Sequence, residues 1–134
     1  MVSSIFFYPI EGSLNVTAIG QYLVQQPDVL LDPLGSGTYI ICGLPNVEEI
    51  KEIIHKERLA SPLEFPYSVL VTVASDELNV FQEYGDDGQL RSSRNFVRWL
   101  FKQGRYRIGD GYGNDWTERV AQHGVDVLYP ETLA

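Results

Sequence analysis

A chain of 134 residues, 44 % hydrophobic and 12 % aromatic, is the usual size of one domain and can fill one sizeable core, which excludes a disordered polypeptide. Eighteen acidic against ten basic residues leave a net charge of −8, so a nucleic-acid partner would have to overcome long-range repulsion and is disfavoured. The single cysteine, Cys42, excludes an internal disulfide and the four-cysteine zinc sites, and no apolar run is long enough to span a membrane.

The first element is a strand at Ile5 to Tyr8, β-branched and aromatic and closed by Pro9. The N-terminus carries no basic stretch ahead of it, so it reads as a strand rather than a leader. Asn15 then offers a helix cap, and Val16, Ile19, Leu23 and Val24 recur at helical spacing until Pro27. Gly20 inside that helix costs about 1 kcal/mol relative to alanine, which points to close packing there. Asp28 to Asp32 reads as a short strand, residues 33–37 as a turn, and Thr38 to Cys42 as a buried strand.

A second helix opens at Asn46, with Glu48, Glu49 and Glu52 in its early turns, Lys56 and Arg58 at its end, and Val47, Ile50, Ile53 and Ile54 on its buried stripe. After a loop at residues 61–66, Tyr67 to Ala74 is apolar enough for a central strand, and Leu78 to Tyr84 pairs with it as a hairpin. A third helix is expected from Gln89 to Gln103, burying Leu90, Val97, Leu100 and Phe101. Tyr106 to Ile108 should be a strand, Trp116 to His123 a helix capped by Asp115, and Val125 to Tyr129 a last strand.

The order β-α-β-β-α-β is that of a ferredoxin-like core. The expectation is therefore one α+β domain over residues 1–134: a mostly antiparallel sheet with both helices on one face, an extra hairpin strand, and a helical, glycine-rich C-terminal extension.

Charge is unevenly spread along the chain. Residues 1–90 hold thirteen acidic and three basic side chains, net −10, whereas residues 91–134 hold five and seven, net +2. Two acidic groups, Glu48, Glu49 and Glu52 on the second helix and Glu83, Asp86 and Asp87 around a loop, are candidates for contact with a basic partner. Trp99, on the helix side away from Leu90, Val97 and Leu100, and Tyr106, Tyr112 and Trp116, among glycines 104, 109, 111 and 113, are candidate aromatic contacts. Arg91, Arg94, Arg98 and Lys102 share a helical stripe and with Arg105 form the alternative, an anion-binding surface.

Motifs for chemistry are missing. The glycine-rich segment has no Gly-Lys-Ser/Thr, no dinucleotide-binding spacing and no EF-hand ligand pattern, and His55-Lys56-Glu57 lacks the cysteine half of a zinc deaminase signature. No serine sits in a nucleophile elbow, Cys42 falls in a strand, and the only other histidine is His123, at a helix end. No catalytic residue, metal or cofactor is expected.

Composition and charge together lead to a small cytoplasmic binding protein, foremost a bacterial immunity protein that neutralises a basic toxin domain, such as a nuclease, by direct contact. A regulator or enzyme taking an anionic small molecule or nucleotide through the arginine-rich helix is the alternative. A structural or adaptor subunit, homo-oligomeric through sheet edges, is the third reading.

Overall fold

The computed structural model describes residues 1–31, 37–57 and 69–133. They form one six-stranded antiparallel sheet and four α-helices: β1 (Ser4–Pro9), α1 (Val16–Gln25), β2 (Val29–Leu31), β3 (Thr38–Ile41), α2 (Val47–Glu57), β4 (Val69–Val73), β5 (Leu78–Phe81), α3 (Asp87–Gln103), β6 (Tyr106–Asp110) and α4 (Thr117–His123). The expected turn at residues 33–36, the loop at 61–66, Asp32, Arg58 and Tyr67 lie outside the described residues.

Strand order is β2-β3-β4-β5-β1-β6. A ferredoxin-like sheet would set β1 directly beside β3; here the hairpin β4-β5 stands between them, so that arrangement is corrected. The chain leaving β3 runs through α2 and returns antiparallel beside β3, with Ile40 opposite Leu70 and Thr38 opposite Thr72. β5 then pairs with β1, Val80 opposite Ile5, and closes the centre of the sheet.

The helices also do not share a face. Neighbouring strand residues point to opposite sides of a sheet. Ile41, Val69 and Val71 face a core with Ile19 and Leu23 of α1 and Phe96, Val97 and Leu100 of α3, whereas Ile40 and Leu70 face Val47 and Ile50 of α2. Strands β3 and β4 are apolar on both sides, so each side has to be covered.

Local signals explain the helix ends. Asn15 Oδ1 accepts from the Ala18 backbone N–H at 3.0 Å, starting α1. Ile19 and Leu23 are buried, but Val16 and Val24 are exposed. A Cβ on Gly20 would lie 2.6 Å from Tyr39 Oη, so this glycine admits the tyrosine across the helix, as the sequence suggested.

Helix α3 begins two residues earlier than expected, because Asp86 and Gln89 form a reciprocal capping box: Gln89 N–H donates to Asp86 Oδ1 at 2.8 Å and Asp86 N–H to Gln89 Oε1 at 3.0 Å.

The tail departs from expectation as well. Gly124, at φ +84°, turns the chain out of α4 into a 3₁₀ turn at Val125–Leu128, not a strand. Val125 and Leu128 are buried three residues apart, the period of a 3₁₀ turn. A buried polar chain holds this tail: Gln82 Nε2 donates to the carbonyls of Val2 (3.0 Å) and Leu128 (3.4 Å), Ser93 Oγ donates to Gln82 Oε1 (2.8 Å), and Tyr129 Oη meets Ser93 Oγ at 2.9 Å. The Ser93 proton is committed to Gln82, so Tyr129 is the donor in the last contact.

Candidate functional site

The register brings the start of β1, the ends of β3, β5 and β6 and the start of β4 to one end of the sheet. Helices α2 and α3 follow β3 and β5, so their N-termini lie there too. Asn46 Nδ2 reaches Asp86 Oδ2 at 3.4 Å, and Gln89 Nε2 donates to the Cys42 carbonyl at 2.9 Å, tying the two helix starts together. Glu48, Glu49, Glu83, Asp86 and Asp87 thus belong to one end of the molecule, all exposed, with exposed Glu52 one turn into α2.

These acids are not equivalent. Asp86 spends its carboxylate on the α3 cap and on Asn46, and Glu48 pairs with Lys51 at 3.3 Å, an exposed contact worth little. Among the described residues, Glu83 makes no hydrogen bond or ion pair.

Beside Glu83 stands the glycine-rich loop, and Asp110 organises it. Oδ1 accepts from the backbone N–H of Tyr112 (2.8 Å) and Asn114 (3.0 Å), and Oδ2 from Asn114 Nδ2 (3.0 Å) and Trp116 Nε1 (3.0 Å). Gly113, at φ +84°, allows the tight return that lets Gly109 bridge Asp115. The result is a braced loop that leaves Tyr112 90 % exposed.

The Trp116 and Asn114 donors hold the Asp110 carboxyl well below the usual carboxylate range. Its folded value lies below the ordinary 3.8, so its contribution to loop order is complete above that pH and is lost only as the pH falls through the lower folded value. The Trp116 indole N–H resonance is therefore expected to hold its position from neutral pH to below 3.8. A half-change at that value would show that the carboxylate does not brace the loop.

Tyr112 and Trp116 line, with Ser4, Phe81, Glu83 and Gly111, a cleft of about 300 Å³. Two of the expected aromatic contacts and one expected acidic contact therefore meet in one place, although they lie far apart in the chain. Tyr84, 52 % exposed, packs edge-on against Phe81 with ring centroids 6.0 Å apart.

The other two aromatic expectations move into the core. Trp99 is half-buried and stacks on Tyr22 of α1 at 4.3 Å and 18°, so α1 covers the side expected to be exposed. Tyr106 is buried, edge-on to Phe7 and Phe101.

The basic stripe is drawn apart. Arg98 Nη2 holds both Asp126 carboxylate oxygens (2.8 and 3.1 Å) and Arg94 Nη1 donates to the Leu133 carbonyl (3.1 Å), which docks the tail on α3. Arg91 lies near the start of α3, while Lys102 stands in its last turn and Arg105 just beyond its C-terminus, at the opposite end. A larger cleft of about 580 Å³ has Arg94, Arg119 and His123 on its walls, but Asp126 and Glu131 share them and the Arg119 guanidinium lies over the Trp116 ring, 4.4 Å from its centroid.

Elsewhere the structure offers packing. Burial, then Asp28, pushes the Cys42 thiol up to about 12, which makes it a poor nucleophile. His55 and His123 are both exposed. Among the described residues no group of His, Cys, Asp and Glu is arranged to hold a metal ion, and no helix is long and apolar enough to cross a membrane. The outer edge of β6 is sealed at Ile108, whose N–H donates to Thr117 Oγ1 (2.9 Å) and whose carbonyl accepts from Trp116 N–H (2.8 Å). A second copy adding a strand there would have to displace both bonds.

Sequence signals for part of this site were present. The Asp-x-x-Gln spacing of Asp86 and Gln89 announces the cap, and Asp110 before Gly-Tyr-Gly-Asn is a loop-bracing pattern of the Asx-turn kind. The proximity of Glu83 to Tyr112 had no such signal. No protein family model, curated protein or solved structure matches the chain.

Proposed function

We propose that this protein acts by binding another protein through the acidic and aromatic end of its sheet, as a cytosolic immunity protein that neutralises a basic toxin domain. The observation that carries the reading is that exposed Glu83 and Tyr112, the latter held 90 % exposed on a braced loop, line one cleft at that end of the sheet, where the starts of α2 and α3 also place exposed Glu49 and Asp87. Aromatic anchors inside a charged rim are how protein interfaces combine affinity with specificity. An acidic surface speeds encounter with a basic partner and can occupy a cleft built for phosphates, so inhibition needs no reactive group from this chain. The anionic-ligand alternative is weaker, because Arg94 and Arg98 are engaged with the tail.

The test starts from the tagged protein in the cells that produce it. One tight, basic partner is expected to be retained and identified by mass spectrometry. Glu48→Lys combined with Glu52→Lys should slow association with it by about tenfold or more at low salt, the difference closing as salt is raised. Equal association rates across the salt series would remove the electrostatic part of the reading, and an acidic or absent partner would remove the whole.

A further inference from the structure

We propose that the cleft between Glu83 and Tyr112 is a receptor for one arginine side chain of the partner, an inference that rests on the binding reading above. Its lining includes Phe81, Tyr112 and Trp116 with Ser4, Gly111 and Met1, and among the described residues its charged side chains are Glu83 and Asp110. The Asp110 carboxylate is saturated by four donors from its own loop, which leaves Glu83 as the acceptor available to an incoming group.

An occupant has to be cationic to pair with Glu83 and flat to lie against aromatic faces. Guanidinium meets both demands: it forks onto a carboxylate through parallel N–H groups and stacks on rings, which the compact, strongly hydrated ammonium of lysine does less well. The chain itself shows the preference, since Trp116 carries the Arg119 guanidinium 4.4 Å from its ring centroid. Arg119 lines the larger cleft and Trp116 lines both, and among the described residues the Glu83 side has no cationic side chain, its cation being the Met1 α-amino group.

The probe is acetyl-arginine N-methylamide, titrated into the full chain and followed by amide and indole resonances, with the neutral citrulline analogue as control. Saturable shifts are expected at Ser4, Glu83, Gly111, Tyr112 and the Trp116 indole, weaker for the lysine analogue and absent for citrulline. Glu83→Gln should weaken binding by about tenfold, and Tyr112→Ala should weaken it with the remaining spectrum unchanged. Absence of saturable shifts at these residues, or equal binding by Glu83→Gln, overturns the proposal.

Failure of the parent reading looks different. If the arginine probe binds as described but no basic partner is retained from cells, the cleft stands and the toxin-neutralising role falls. A basic partner that binds Glu83→Gln and Tyr112→Ala with unaltered affinity sinks the arginine receptor and moves the interface away from this cleft, leaving only the toxin-neutralising role in place.

Discussion

Gln82→Ala is expected to destabilise the protein by about 3–5 kcal/mol, a large share of the stability of a domain this size. The side chain is fully buried and joins four pieces of the fold: β5 that precedes it, Val2 ahead of β1, Ser93 of α3 and Leu128 of the tail. Alanine leaves a cavity, two carbonyls without this donor and the Ser93 hydroxyl without its acceptor. Ser93→Ala should cost less, about 2–3 kcal/mol, by removing the acceptor of Tyr129 and the donor to Gln82. Tyr129→Phe should cost least, about 1 kcal/mol, because Ser93 keeps its bond to Gln82 and loses only a donor. Urea midpoints at constant slope measure the series. A cost for Tyr129→Phe above that of Ser93→Ala would overturn the donor assignment, and a near-neutral Gln82→Ala would show that the tail docks without this network.

Tyr112→Ala should lower affinity for the protein partner by about thirtyfold or more, the loss of a central aromatic anchor, while leaving stability within about 0.5 kcal/mol. That separation follows from the position of the ring, which is 90 % exposed and therefore contributes little to the core. Asp110→Ala should cause a comparable loss with Tyr112 in place, because the loop gives up four hydrogen bonds that hold it in its binding shape. Tyr112→Phe should keep most of the affinity if the ring face is what counts. Undiminished binding by Tyr112→Ala would move the interface elsewhere, and undiminished binding by Asp110→Ala would show that the loop's rigidity is irrelevant to it.

The helices were legible in the sequence because their evidence is local. Asn15 before a period-3.6 stripe fixed the start of α1, and of the expected stripe Val47, Ile50, Ile53 and Ile54, the residues Val47, Ile50 and Ile54 pack against the sheet. Gly20 announced its close neighbour. The apolar runs of β3 and β4 carried more than was drawn from them: a strand with consecutive apolar residues needs cover on both faces, which is incompatible with helices packed on one.

What the chain determined by itself is the identity of its elements as far as α4, its charge and the bracing of its glycine-rich loop, all set by residues within a few positions of one another. Tertiary structure alone decided that β4 and β5 separate β3 from β1, that Trp99 meets Tyr22 and that Arg94 and Arg98 serve the tail. It likewise decided that Glu83 and Tyr112 line one cleft. The reason is the same throughout. A side-chain period says which face of an element is buried but not which partner buries it, and contacts between residues distant in the chain depend on strand order, which periodicity does not encode.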